Sequence, residues 1–149
     1  MIKKLIPAND ILLNQPIKKC SYDLNRHEIS STLKENMLHY NGVGLSANQI
    51  GIAERVFVMM NDIETEETIT CFNPRILKKS KDVVLLEEGC LSYPDKFLEI
   101  NRPNSVVVKY EDEEKKLIKA RLTGFISRIF QHEYDHMEGI DFTQRTIEK

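Results

Sequence analysis

Residues 131–139 read QHEYDHMEG. If this stretch is helical, His132 and His136 lie one turn apart on the same face, with Cβ atoms about 5–6 Å apart. Their imidazoles then reach one metal ion. Glu133 is rotated by about 100° around the axis, so it flanks that ion and is placed to take a proton from metal-bound water. The competing reading is an ordinary helix with surface histidines. This composition yields the His-Glu-x-x-His spacing by chance in roughly one such chain in a hundred, so the motif needs support from its surroundings. Thr123-Gly124 opens the segment, Phe125, Ile126, Ile129, Phe130 and Met137 give it apolar bulk, and Gly139 suits a helix stop.

A catalytic ion of this kind takes three protein ligands and keeps one position open. Residues 140–149 contain no histidine, and Asp141 and Glu148 are too close along the chain to return easily to the same face. The third ligand therefore comes from upstream. EEGCLSYP (87–94) offers Cys90, whose thiolate suits Zn²⁺ or Fe²⁺, beside Gly89, which permits a close backbone approach. A small buried hydrophobe is the plain alternative for any cysteine, and it is the reading adopted for Cys20 and Cys71. GVGLSANQIG (42–51) lacks the Gly-Lys-Ser/Thr ending of a phosphate loop. It is either a turn after the first helix or a rigid mount for Gln49, whose amide N–H would donate to a developing oxyanion.

The rest of the chain sets the frame. Its 149 residues suit one domain, 1–149, with a proper core. Hydrophobic residues at 41% and charged residues at 30% give a globular profile, and a net charge of -2 without a basic block argues against nucleic acid or a membrane surface as partner. The N-terminal MIKKLIPANDILLNQP is too interrupted for a signal peptide or a membrane span. Three widely spaced cysteines point to a reducing compartment. A cytoplasmic location is expected, with an organelle left open.

Asp23 is the expected N-cap of a helix reaching about Tyr40, with Ile29, Leu33 and Met37 at helical spacing and Asn41-Gly42 as the stop. Residues 55–60, 68–73, 82–87, 105–110 and 116–122 read as strands. The acidic stretches 62–68 and 111–115 read as solvated loops between them. With no βαβ alternation this predicts an α+β fold: short antiparallel strands packed around the metal-bearing helix, with one further N-terminal helix.

Taken together and in this order, GVGLSANQ, EGCLS and QHEYDH resemble the peptide deformylase family, over residues from about 24 to 142. The resemblance implies that Cys90, His132 and His136 hold the metal, Fe²⁺ natively with Zn²⁺, Ni²⁺ or Co²⁺ able to substitute. It implies Glu133 as general base, and Gln49 with the Leu91 N–H as stabilisers of the oxyanion. The substrates would be N-formylmethionyl nascent peptides, gripped by backbone around Val43-Gly44 and Gly89, with Val43, Phe125 and Ile129 as candidates for the methionine slot. Plain core packing is the alternative for Phe125 and Ile129. Glu88 and Arg102 match an ion pair supporting the Cys90 turn, and Arg128 either a family position or a solvated charge.

Three departures stand out. Ser46 replaces the family's usual alanine. Phe97 stands where many bacterial members carry a basic residue. The chain ends soon after Phe142, which resembles compact members, some phage-encoded, that lack the C-terminal helix used to contact the ribosome. A bacterial cytosol or a phage-infected host is then the expected setting. A zincin-like peptidase and a catalytically inactive metal-binding homologue are the rival readings.

Overall fold

The structure, a computed structural model, describes residues 1–145. Glu148, weighed above as a ligand, lies outside them. Helix α1 spans Arg26–His39 and helix α2 spans Gly124–Met137. Strands β1 (Gly44–Ser46), β2 (Val56–Met60), β3 (Thr68–Lys79), β6 (Ser105–Glu111) and β7 (Leu117–Thr123) form an antiparallel sheet in the order β1-β2-β3-β6-β7. Strands β4 (Val83–Cys90) and β5 (Tyr93–Pro103) form a separate hairpin. The expected α+β architecture is thus observed.

The run RVFVMM explains how the sheet is covered. All five residues of β2 are buried, because the strand has a helix on each side. Phe57 and Met59 join Ile129, Phe130 and Met137 of α2 in one core cluster, with the Phe57 and Phe130 rings edge-on at 5.1 Å. Val56, Val58 and Met60 join Ile29, Leu33 and Met37 of α1 in another. A strand buried on both faces reads as a continuous apolar run, and this one is the layer between the two helices.

Several boundaries differ from expectation for identifiable reasons. Asn25, and not Asp23, caps α1, accepting the Glu28 N–H at 3.1 Å. Strand β3 continues past Asn73-Pro74, where a break was expected. Asn73 adopts φ 52°, and the pairing with β6 shifts register between Phe72 and Arg75. A bulge has absorbed the turn-forming pair. Strand β5 was not foreseen, because prolines and charges hide its alternation and its exposed side chains carry little apolar signal. GVGLSANQIG contains β1 followed by a 3-10 turn, Ala47–Ile50. Asn41 takes φ 57° after α1, and Thr123 is the N-cap of α2, both as expected.

The segment before α1 closes the bottom of α2. Ile17 N–H donates to the Met137 carbonyl at 2.8 Å, and Arg55 reaches the same carbonyl at 3.2 Å. Gly139 has φ +73°, and a Cβ there would lie 2.5 Å from the Gln15 carbonyl carbon. Both its left-handed backbone and this close approach exclude a side chain. Gly139→Ala should therefore lower stability by about 3 kcal/mol, read as a reduced denaturation midpoint in urea with little change in slope.

Candidate metal centre

The tip of the β4–β5 hairpin and the middle of α2 meet at one point. Cys90 pairs with Tyr93 across a two-residue turn, Leu91-Ser92. His132 and His136 stand on adjacent turns of α2, with ring centroids 5.2 Å apart. One ligating atom from each of Cys90, His132 and His136 lies within 4.8 Å of the others. His136 Nε2 is 3.5 Å from Cys90 Sγ.

The donor set fits a divalent cation. A thiolate with two imidazoles suits Zn²⁺ or Fe²⁺. His132 has its Nδ1 taken by Glu88 Oε1 at 2.9 Å, which leaves Nε2 as its remaining donor and fixes the ring's orientation. Burial opposes charge on His132, yet Cys90, Glu88 and Glu133 overcome it and push its pKa up to about 10. The surroundings favour positive charge here, which a dication would supply. Cys20 and Cys71 are different. Burial, and for Cys20 also Glu54, raises both thiols, Cys20 to about 11. Cys71 is buried in the sheet core, as the small-hydrophobe reading expected, whereas Cys20 is only half-buried and its thiol donates to the Arg55 carbonyl at 3.2 Å.

Glu133 is 4% exposed, and its Oε1 accepts a hydrogen bond from Ser46 Oγ at 2.9 Å. Burial raises its pKa, and the His132 charge and the Ser46 hydroxyl pull it back only in part. A carboxyl tuned upward is a better proton acceptor near neutral pH. The departure at Ser46 is therefore more than a tolerated small residue. Gly44 is required by the same group, since a Cβ there would meet Glu133 Oε2 at 2.7 Å.

Gln49 is buried and held at both ends of its amide. Its Oε1 accepts from the Ser46 N–H at 3.0 Å, and its Nε2 donates to Ser92 Oγ at 2.9 Å, with Cys90 Sγ at 3.8 Å. GVGLSANQ is thus a rigid mount. A cavity of about 540 Å³ opens beside these groups. Val43, Gly44, Gly89, Leu91, Phe125 and Ile129 all line it. Phe125 is 49% exposed, which excludes plain core, whereas Ile129 serves both the cavity wall and the α2 core cluster. Phe97 also lines the cavity and lies over Gly89, where a Cβ would touch its ring at 2.8 Å.

A buried ionic cluster joins the two halves. Glu88 receives Arg102 Nε at 2.6 Å and a further Arg102 nitrogen at 3.1 Å, and it also pairs with Arg128. Arg128 in addition donates to the Ile100 carbonyl at 3.1 Å, so it is buried and not solvated. Asp135 binds Arg102 at 2.9 Å and Arg145 at 3.0 Å. The role of Asp135 was not read from the sequence. Its position one residue before His136, on the side of α2 facing the hairpin, was the available signal. Burial alone would raise the Glu88 pKa, but hydrogen bonds from His132 and Arg102 hold it down at about 2. Its folded value lies below the ordinary 4.5, so this stabilisation is present above about pH 4.5 and is lost as the pH falls through 2.

Two measurements follow from this geometry. Glu88→Gln should cost about 3–5 kcal/mol of stability in urea and weaken metal affinity by about 10–100-fold. With the ion removed, native protein titrated with a disulfide reagent at pH 8 should show one fast thiol, and Cys90→Ser should abolish it. A fast phase persisting in that variant would contradict the assignment.

Known proteins share this sequence pattern and fold. Residues 2–149 match the family model for polypeptide deformylase. A peptide deformylase of Thermotoga maritima is 39% identical over 126 residues, covering 85% of this chain and 74% of its own length. The crystal structure of peptide deformylase from Thermotoga maritima superposes with a TM-score of 0.92 at 33% identity, covering 99% of both chains. A Met-Ala-Ser-bound class I type b peptide deformylase from Acinetobacter baumannii superposes at 0.89 with 29% identity, over 97% of this chain and 98% of that one. The expected lack of a C-terminal helix is not borne out by this coverage, since the Thermotoga structure is matched over 99% of its length. No helix among the described residues is long and apolar enough to cross a membrane.

Proposed function

This chain belongs to the polypeptide deformylase family, metal-dependent hydrolases that remove formyl groups from nascent peptides, and from that premise we propose how its own residues do so. Residues 1–149 act as one catalytic domain. Cys90, His132 and His136 hold the ion, ferrous iron in the cell, with Zn²⁺, Ni²⁺ or Co²⁺ able to substitute. Once bound, the ion supplies Lewis acidity to activate water and polarise the formyl carbonyl.

Glu133 takes a proton from the attacking water and returns it to the amine nitrogen as the C–N bond breaks. Formate and a free N-terminal methionine result. The upward shift of the Glu133 carboxyl by burial supports this role. Gln49 Nε2 donates to Ser92 Oγ and lies 3.8 Å from Cys90 Sγ; on substrate binding one of these N–H groups turns, with the Leu91 N–H, to the oxyanion. The peptide lies as an added strand against backbone at Val43-Gly44 and Gly89. The methionine side chain enters the apolar cavity between Val43, Phe125 and Ile129. The single observation that carries this reading is the convergence of a thiol and two imidazoles within 4.8 Å, beside a buried carboxyl that binds none of them.

The test is formate release from formyl-Met-Ala-Ser, with protein loaded anaerobically with Fe²⁺ or Co²⁺. Wild type should turn over. Glu133→Gln should keep one equivalent of metal and lose at least about a hundredfold in kcat. Metal-loaded wild type without turnover would favour the inactive-homologue reading. The Fe²⁺ form should also lose activity in air through oxidation of iron or Cys90, while the Zn²⁺ form is limited to attack on the thiol.

A further inference from the structure

The turn that follows α2 touches each of the segments carrying the proposed metal ligands. Tyr93 OH, three residues after Cys90, donates to Asp141 Oδ2. Phe142 is 1% exposed, and its ring packs against Tyr93 at 5.4 Å and against His132 at 5.8 Å. Asp141 Oδ1 accepts from the Thr143 N–H at 2.7 Å and from the Thr143 hydroxyl, which holds the turn itself in shape. Arg145 fastens the turn back to α2 through Asp135.

The consequence lies in how the ligands are mounted. His132 and His136 share a helix, so they keep their spacing whenever α2 is folded. Cys90 arrives on a different element, at the tip of a hairpin that belongs to no larger sheet. Movement of the Cys90 turn away from α2 would therefore break up the ligand set and ease loss of the ion. Gln49 grips that turn on one side, through Ser92. On its other side Tyr93 is tied to the chain just beyond α2.

We propose that Tyr93, Asp141 and Phe142 form a latch that holds the Cys90 turn against the histidine helix and so sets how slowly the metal leaves. Tyr93 and Asp141 are positioning residues: neither is among the proposed ligands, and they act through Cys90, although the Tyr93 ring also lines the cavity. Phe142 fills the space between the thiol-bearing turn and the His132 ring. The proposal rests on the metal ligands assigned above.

Release of Co²⁺ into an excess of a chromogenic chelator tests it, together with the near-ultraviolet thiolate-to-cobalt band, which reports Cys90 in the coordination shell. Tyr93→Phe deletes the hydroxyl and keeps the ring on Phe142. Asp141→Asn keeps Oδ1 for Thr143 and replaces the acceptor that faces Tyr93. Each should speed release by about tenfold, the scale of one hydrogen bond to a charged acceptor. The double variant should be no faster than Tyr93→Phe alone, because the contact that Asp141→Asn weakens no longer exists once the hydroxyl is gone.

The cobalt band should weaken in each variant while far-ultraviolet circular dichroism is unchanged. Release rates within twofold of wild type in both single variants would overturn the latch, as would additive effects in the double variant. If wild type itself retains no cobalt, the ligand assignment fails and the latch falls with it. Retained cobalt with an unaltered release rate refutes the latch alone.

Discussion

Glu88 brings a negative charge into the interior at the one place where the hairpin and α2 must be held in register. Taking such a group out of water costs several kcal/mol unless its lone pairs are all engaged. Here they are, by Arg102, by Arg128 and by His132. Those partners come from β5 and from two turns of α2, so satisfying one carboxylate fixes three elements relative to each other. Breaking any of the pairs would leave a buried charge exposed to the low-dielectric interior. The hairpin, with only two strands and many exposed side chains, has little else to secure it.

The centre is assembled from this anchor outward. Glu88 orients His132 by taking Nδ1, and the same strand delivers Cys90 two residues later. On the opposite side, β1 and the 3-10 turn after it deliver Ser46 and Gln49. Ser46 serves both groups, its hydroxyl to Glu133 and its N–H to Gln49. Gly44 leaves the space that the Glu133 carboxyl occupies. The roles proposed for Glu133 and Gln49 thus both depend on one short segment that is itself pinned between the two helices.

The two-sided burial of β2 explains why that segment holds still. Val58 and Leu45 pair across β1 and β2 and share the α1 cluster, while Phe57 and Met59 face α2. The cavity therefore has one wall on a sheet fixed from both sides and another on the hairpin. The ionic cluster and the turn after α2 restrain that second wall.

Local patterns carried much of this. Helical spacing in QHEYDH put His132 and His136 on one face and turned Glu133 aside, because helix geometry depends only on the residues within it. The apolar runs at 55–60 and 105–110 became strands for the same local reason. Other features depended on partners distant in the chain. Strand β5 was hidden because a two-stranded hairpin buries too little to demand alternation. Arg128 read as either a family position or a solvated charge until Glu88, forty residues away, supplied its counter-charge. The sequence by itself determined which side chains were able to bind an ion or move a proton. The sequence also singled out Cys90 among the three cysteines; tertiary structure decided how closely it meets the histidines, because that contact joins a hairpin to a helix and only packing and buried charge bring them together.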